Sequence, residues 1–278
     1  MTDSTSDSVV RHYSGENLEQ KILTALATAG KDVNRLTPED LAPVDEFHIG
    51  GRAATVELAA QAQFTAGQHL LDVGSGLGGA SRYFAHEHRC RVTGIDLTQS
   101  FVQVAGALAR RIGFEESRVA YRQASALDLP FAAATFDGAY MLHVGMNIAD
   151  KTALARAVAR VLKPGAGFAI YDVMRADTGD LAFPVPWATT AETSFLAEPH
   201  VYRQALEAAG FRVRHERNRR DFAIEFFRRM RAQAAQSGPP PLGLHLVMGI
   251  DAPQKIANMV AAVERGLIAP VEMIGILE

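Results

Sequence analysis

The chain has 278 residues, of which 48% are hydrophobic, and this is enough for one large α/β domain or for a domain with a sizeable insertion. Its formal net charge of −3 indicates no broad basic surface for nucleic acid. The single cysteine, Cys90, excludes an intrachain disulfide and a cysteine-cluster metal site. Residues 1–10 are polar and acidic, unlike a signal peptide, and no apolar run approaches the roughly 20 residues of a membrane span. We therefore expect a cytoplasmic protein without nucleic-acid or membrane partners.

The N-terminal part, residues 1–64, is predicted to be a helical segment and cap that follows a polar tail at residues 1–15. Three helices are expected there: Asn17 to Ala29, one capped by Thr37 with Pro38 at its first position, and Ala53 to Gln63. Gly50–Gly51 breaks the chain before the third helix. The neighbouring His48 and Arg52 either face a ligand or are surface polar residues at a helix entry.

A strand, a glycine-rich turn and the start of a helix follow within residues 69–85. Leu70 to Val73 is a short apolar run, typical of a buried strand, and Gly74, Gly76 and Gly79 satisfy the pattern G-x-G-x-x-G. Glycine permits a sharp turn and close approach of a ligand to the backbone, and a helix start offers free N–H groups to a negative group. Together these features predict the first half of a nucleotide-binding βαβ unit.

Two acidic residues at strand ends narrow the choice of ligand. Asp72 lies two residues before the first glycine, where it would repel a pyrophosphate but would suit the ammonium of S-adenosylmethionine (SAM). The alternative is that Asp72 is a satisfied polar residue at a strand end. Asp96 ends the next predicted strand roughly 20 residues past the glycines, where an acid accepts hydrogen bonds from ribose hydroxyls.

Strand and helix patterns continue to alternate, which predicts a parallel, doubly wound α/β sheet. The remaining predicted elements of this part are a helix at Thr98 to Ile112, strands at Arg118 to Ala124 and Phe136 to Leu142, a helix at Asp150 to Leu162, and a strand at Gly167 to Val173.

Four motifs in this order resemble those of class I SAM-dependent methyltransferases. They are Leu71 to Gly78, Gly94 to Asp96, Leu129 to Phe131 with Phe136–Asp137, and Val161 to Gly165. Within the class, the chain is similar to the small-molecule branch that includes glycine, sarcosine and dimethylglycine N-methyltransferases and sugar O-methyltransferases. The resemblance implies a Rossmann-like seven-stranded sheet of order 3-2-1-4-5-7-6, with an antiparallel last strand and helical lid insertions.

The sequence pattern divides the chain into parts. We predict a SAM-binding core at residues 65–220 with a loop insertion at 174–200, a helical insertion at 221–268, and a final core strand at 269–278. The insertion at 221–268 departs from the family, whose members usually turn straight from strand six into an antiparallel strand seven. We interpret both insertions as lid elements over the acceptor site, and the alternative for 221–268 is a dimer surface. Prolines rule out a regular helix at Phe183 to Trp187. Arg228, Arg229 and Arg231 fit a solvated helix face better than a binding patch.

The resemblance also assigns cofactor contacts to eight residues: Asp72, Gly74, Ser75, Gly76, Asp96, Leu97, Ser125 and Ala126. The backbone of Gly74 to Gly76 would face the methionine arm, Asp96 would take the ribose, and Leu97 would pack on the adenine. Family members usually have an aspartate after strand three that accepts from the adenine amino group. This chain has Ser125 there, and a hydroxyl is a weaker acceptor than an anion.

For catalysis we consider His143 and Asp172, which lie near the carboxyl ends of predicted strands four and five. Ligands bind at this edge of a parallel sheet, so Asp172 would orient His143, and His143 would take a proton from an acceptor hydroxyl. Sugar O-methyltransferases that resemble this chain place a His and an Asp comparably. The alternative is that His143 only lines the cofactor pocket. An amine acceptor needs no strong base, and there the protein would mainly align the reacting groups and exclude water.

We therefore expect a SAM-dependent methyltransferase that modifies a nitrogen or oxygen of a small-molecule acceptor, releases S-adenosylhomocysteine and needs no metal. A homodimer is left open. A nicotinamide-dependent oxidoreductase is the second hypothesis, disfavoured by Asp72 and by the turn Lys163 to Gly165. A non-catalytic SAM-binding protein is the third.

Overall fold

The computed structural model describes residues 18–238 and 241–278. The predicted polar tail at residues 1–15 and part of the proline-rich break at Ser237 to Pro241 lie outside this description. The strands are β1 (His69–Val73), β2 (Arg91–Asp96), β3 (Val119–Gln123), β4 (Phe136–Leu142), β5 (Leu162–Arg175), β6 (Phe211–Asn218) and β7 (Ile268–Leu277). The helices are α1 (Leu18–Thr28), α2 (Pro38–Asp45), α3 (Gly51–Ala62), α4 (Gly79–Glu87), α5 (Gln99–Arg111), α6 (Lys151–Val161), α7 (Pro199–Ala208), α8 (Arg220–Ser237), α9 (His245–Met248) and α10 (Ala252–Glu264).

The strands form one seven-stranded sheet in the order β3-β2-β1-β4-β5-β7-β6. Strands β1 to β5 pair in parallel, while β7 runs antiparallel between β5 and β6. The predicted fold class and strand order are confirmed. Because β1 to β5 are parallel, the segments that leave β1, β2 and β4 gather at one edge of the sheet.

Two hydrophobic cores lie on opposite faces of this sheet, because successive side chains of a strand alternate between its faces. Leu71 and Met141 pack on one face with residues of α6 and α7. Leu70 and Tyr140, their neighbours in sequence, pack on the other face with residues of α3 and α4. The strands are therefore apolar on both faces, as expected of a sheet covered by helices.

The N-terminal helices bring a loop to the carboxyl edge of the sheet. The predicted cap is confirmed, since Thr37 accepts the backbone N–H of Asp40 and the Asp40 carboxylate accepts the backbone N–H of Thr37. Helix α2 continues beyond the predicted start and ends at Asp45. Helix α3 begins at Gly51, two residues before the predicted start, after Gly50 adopts a φ of +94° that favours glycine.

The segment between β6 and β7 holds α8, α9 and α10. Ala223 and Phe227 of α8 pack with Val260 and Val263 of α10 in a third hydrophobic cluster that also includes Trp187. The assignment of this segment as a lid stays a prediction.

The surface of α8 is charged. Arg228 and Arg229 contact Glu225, Arg231 contacts Glu264, and each of the three arginines has most of its side chain exposed. The interpretation as a solvated helix face is confirmed. Within residues 18–238 and 241–278, no helix is both long enough and apolar enough to cross a membrane.

Phe84→Ala should lower the free energy of unfolding by about 3–5 kcal/mol, because truncation leaves a cavity where a buried aromatic ring was. The Phe84 ring is fully buried, with its centroid 5.7 Å from that of Phe64 and 4.5 Å from that of Tyr140. Urea denaturation measures the change. Val56→Ala is the control, because Val56 is 43% exposed and should change the free energy by less than about 0.5 kcal/mol. A Phe84→Ala loss as small as that of the control would contradict this packing.

Candidate functional site

A cavity of about 590 Å³ lies at the carboxyl ends of β1, β2 and β4. Its walls come from the glycine turn after β1, the end of β2, the segment after β3, the turn after β4, and the loop between α2 and α3. All eight residues predicted to contact the cofactor line it, as does His143. Asp172 is not part of the lining that the structure describes.

The three glycines of the turn differ in backbone conformation and in the space available for a side chain. Gly74 has a φ of +76°, and a Cβ built on it would lie 2.4 Å from a methyl of Val144. Gly76 has a φ of +52°, but a Cβ there would meet no atom within 4 Å. Gly79 has no positive φ, and a Cβ on it would lie 2.5 Å from the carbonyl oxygen of Asp45. The turn therefore leaves the backbone of Gly76 open to the cavity, while Gly79 lets α4 approach α2.

Asp96 holds the glycine turn against the end of β2. Its Oδ2 accepts the backbone N–H of Gly76 at 2.9 Å, and its Oδ1 accepts the backbone N–H of Thr98 at 2.8 Å. Burial raises the pKa of the Asp96 carboxyl, and these backbone hydrogen bonds oppose the rise. Asp96 also lines the cavity, where its carboxylate can accept a hydrogen bond from a ligand hydroxyl.

Asp72 is a buried carboxylate without a cation among the contacts that the structure records for it. Its Oδ2 accepts from the hydroxyl of Ser81 at 2.6 Å and from the hydroxyl of Tyr140 at 3.1 Å. Burial raises the pKa of Asp72 to about 7, although both hydroxyls lower it. A positive ligand group beside Asp72 would favour its ionised form.

Ser125 and Asp128 both line the cavity, in the segment that follows β3. The Ser125 hydroxyl oxygen accepts the backbone N–H of Leu127 at 3.2 Å. Asp128 supplies an exposed carboxylate three residues after Ser125, close to where the resembling family has its aspartate. Asp128 was not among the predicted site residues, although an acid this close to the end of β3 was a signal for it.

The end of α2 and the loop that follows it contribute cavity residues that were not predicted from the sequence. Asp45 accepts from the fully buried Arg82 through one oxygen, while its Oδ1 is buried and has no hydrogen-bond partner. Glu46 lies 3.0 Å from Nε of Arg52, and Arg52 also donates to the carbonyl of Pro38 at 3.1 Å. The signal for these residues was the acid pair that precedes His48 and the two glycines.

His48 and Arg52 were each expected either to face a ligand or to be surface polar residues, and the structure places the two differently. His48 is only 8% exposed and lines the cavity. Arg52 is not among the lining residues and joins α3 to the preceding loop and helix.

His143 adopts a φ of +54°, an uncommon conformation for a residue other than glycine. Its Nε2 accepts the backbone N–H of Ile49 at 3.4 Å, and its ring centroid lies 5.0 Å from that of Tyr171. The Nδ1 atom of His143 is buried and has no hydrogen-bond partner. Burial lowers the pKa of His143 well below its usual value, and the neighbouring His48 lowers it further.

The structure does not pair His143 with Asp172, contrary to the predicted contact. Oδ2 of Asp172 accepts from the hydroxyl of Tyr202 at 2.6 Å, and Oδ1 accepts the backbone N–H of Val173 at 3.0 Å. The physical reason is strand alternation: Tyr171 faces His143, so the next residue of β5 points to the opposite face. There Asp172 packs beneath Gly145, where a Cβ would lie 2.3 Å from its Oδ2.

Comparison with known proteins agrees with this geometry. Residues 71–170 match the family described as a methyltransferase domain. The chain is 33% identical over 180 residues to an O-methyltransferase of Aspergillus sclerotiorum, covering 63% of this chain and 66% of that protein. It is 24% identical over 210 residues to sarcosine/dimethylglycine N-methyltransferase of Halorhodospira halochloris, covering 75% and 74%.

Among solved structures, geranyl diphosphate C-methyltransferase from Streptomyces coelicolor has the same fold, with a TM-score of 0.70 and 18% identity over 100% of this chain and 99% of that one. The chain spans about half to two thirds of the length of the first O-methyltransferases that it matches. These similarities show that residues 71–170 form a methyltransferase domain, and the sheet order is the one that the resemblance to class I SAM-dependent methyltransferases implies.

Proposed function

We propose that this protein transfers a methyl group from SAM to a nitrogen or oxygen of a small-molecule acceptor. The observation that carries the proposal is the position of Asp72 and Asp96. They stand at the ends of neighbouring strands, on either side of the glycine turn, and line one cavity. A buried carboxylate suits an ammonium, and a second carboxylate suits a ribose diol. SAM carries both groups.

The residues present fit SAM in other respects. The cavity volume lies within the roughly 300–1,000 Å³ of small-molecule sites. Ser75 Oγ and Asp45 Oδ1 are buried beside the glycine turn without hydrogen-bond partners. Buried polar atoms are rarely left unpaired, so both favour a polar ligand. Leu97 and Ala126 offer apolar contact to an adenine, with Ser125 as a hydroxyl near its edge.

SAM brings its own reactive group, a methyl on a positively charged sulfur. The protein therefore has to bind, orient and keep water away from the reacting atoms. The walls nearest to His143 are the loop that carries His48 and the turn that carries Asn147. Oδ1 of Asn147 is also buried without a partner. We assign this polar end of the cavity to the methyl acceptor.

The similar proteins support methylation of oxygen or nitrogen without choosing between them. One is an O-methyltransferase, and another is a sarcosine/dimethylglycine N-methyltransferase. The role of Asp172 in this proposal is limited to the turn after β4, because the structure shows no contact with His143 through which it could orient the imidazole. A nicotinamide cofactor gains no support, since the pyrophosphate would lie near the Asp72 carboxylate with no cation recorded between them.

The protein should bind S-adenosylhomocysteine and not NADH. Titration calorimetry of the intact chain with each ligand at the same concentrations checks this. Tighter binding of NADH, or no binding of S-adenosylhomocysteine to folded protein, would contradict the proposed function.

Asp96→Ala should weaken binding of S-adenosylhomocysteine by about 2–4 kcal/mol, because it removes hydrogen bonds between a carboxylate and the ribose. Since Asp96 also holds the glycine turn, Asp96→Asn is measured beside it, and circular dichroism checks that both variants fold. Asp128→Asn makes the same kind of change at an exposed position of the same cavity and should cost less. An unchanged dissociation constant in folded Asp96→Ala would remove Asp96 from the ribose site.

A further inference from the structure

Lys151, the first residue of α6, is a lysine that is almost wholly removed from water. The residue is 5% exposed, and its Nζ donates to the carbonyl oxygens of Gly145, Ile148 and Phe195, to the first and last at 2.8 Å. An ammonium has three N–H donors, so the three carbonyls match them in number. Because a buried charge is costly unless it is hydrogen-bonded, these bonds hold the contacted backbone segments together.

The three carbonyls belong to two parts of the chain that are distant in sequence. Gly145 and Ile148 lie in the turn after β4, which forms a wall of the cavity. Phe195 lies in residues 176–198, which connect β5 to α7 and which we call the β5–α7 loop. The backbone N–H of Phe195 also donates to the carbonyl of Met146 at 2.8 Å. The buried ammonium thus joins a wall of the cavity to a loop outside the cavity lining.

The turn after β4 borders both ends of the proposed ligand site. Asn147 belongs to the polar end of the cavity that we assign to the methyl acceptor. Val144 lies against the glycine turn, since a Cβ built on Gly74 would be 2.4 Å from one of its methyl groups. A shift of the turn after β4 would therefore change both the acceptor end and the backbone proposed to bind the cofactor.

The β5–α7 loop is attached in turn to the segment between β6 and β7. Ser194, next to Phe195, accepts a hydrogen bond from Nε1 of Trp187 at 2.9 Å. Trp187 is buried and packs in the third hydrophobic cluster with residues of α8 and α10. Lys151 therefore lies between the cavity wall and the helices predicted to form a lid.

The charge of Lys151 depends on pH within an accessible range. Burial lowers the pKa of Lys151 to about 8, and the charge of Asp172 on β5 opposes this shift. Tyr202 of α7 has its ring centroid 5.3 Å from Nζ of Lys151 and donates its hydroxyl to Asp172. Asp172 and Tyr202 are the titratable groups recorded beside the ammonium in the part of the chain that the structure describes. Lys151 is therefore mostly charged at neutral pH and mostly neutral one pH unit above its pKa.

We propose that Lys151 is a positioning residue for methyl transfer, and that its ammonium holds the turn after β4 and the β5–α7 loop in the arrangement that binds ligand. This inference rests on the proposed function and adds to it a residue outside the cavity lining. A neutral amine has two N–H donors for three carbonyls, so loss of the proton leaves one carbonyl without its partner. A ligand that binds the held arrangement must favour the protonated amine in return, because coupling between two binding events is reciprocal.

Trp187 reports on the β5–α7 loop, because it is the single tryptophan of the chain. In ligand-free wild type, its emission should move to longer wavelength as pH rises from about 7 to about 9 and Lys151 loses its proton. Lys151→Arg keeps a charge and donors at all these pH values and should show no such transition. Lys255→Met is the control, since Lys255 is 7% exposed and donates to the carbonyl of Met248, outside the cavity lining. It should keep the wild-type transition.

The pH dependence of S-adenosylhomocysteine binding separates positioning from support of the fold. Saturating ligand should move the midpoint of the Trp187 transition in wild type upward by about one pH unit. The dissociation constant of wild type should then rise about five-fold more than that of Lys151→Arg between about pH 7 and pH 9. The ligand ammonium and Asp72 titrate in both proteins, so their contributions cancel in the comparison. Lys151→Met, checked by circular dichroism, should bind more weakly than wild type at pH 7 and lack this pH dependence.

A Trp187 midpoint that ligand does not move would overturn the proposal, and this measurement needs no variant to fold. Parallel pH profiles of wild type and Lys151→Arg would also overturn it, as would absence of the transition from wild type or its persistence in Lys151→Arg. Failure of the proposed function is a different result. S-adenosylhomocysteine would then not bind folded protein, while the Trp187 transition of the ligand-free protein would remain.

Discussion

The arrangement of the site depends on the buried carboxylate of Asp72 at the end of β1. The protein supplies it with two hydroxyl donors and no recorded cation, so its charge is disfavoured until a positive group arrives. The glycine turn directly follows it, and Asp96 fastens that turn to β2. Adjacent parallel strands thus fix the positions of the glycine turn and of the two carboxylates that we propose bind the ammonium and the ribose.

Much of the fold could be predicted because its signals are local. The apolar run before Gly74, the acid at Asp96 and the alternation of strands with helices each follow from short segments of sequence. The sheet order came from the resemblance, and the structure confirms it. The cavity wall proposed to bind the cofactor was predictable for the same reason, since its residues lie at or just after the ends of strands that must meet at one edge.

The acceptor side was harder because it depends on side-chain direction and on contacts distant in sequence. His143 directly follows β4 and Asp172 lies three residues before the end of the neighbouring β5, yet alternation along β5 turns Asp172 towards Tyr202. Ile49, whose backbone N–H donates to Nε2 of His143, lies 94 residues away in a loop that the strand pattern does not place. The sequence singled out His48 near two glycines, but its position in the cavity wall depends on contacts with Gly51 and Thr55 that the spacing does not predict.

Proton release on ligand binding tests the central claim most directly. If the ammonium of S-adenosylhomocysteine binds ionised Asp72, whose pKa is raised to about 7 in the free protein, binding at pH 6 must expel most of a proton and binding at pH 8 very little. Calorimetry in buffers of different ionisation enthalpy counts these protons, with Asp72→Asn as the control that should release none from this site. The account predicts release that declines as pH rises from 6 to 8 in the wild-type protein alone. Equal release by wild type and Asp72→Asn, or none at pH 6, would contradict it.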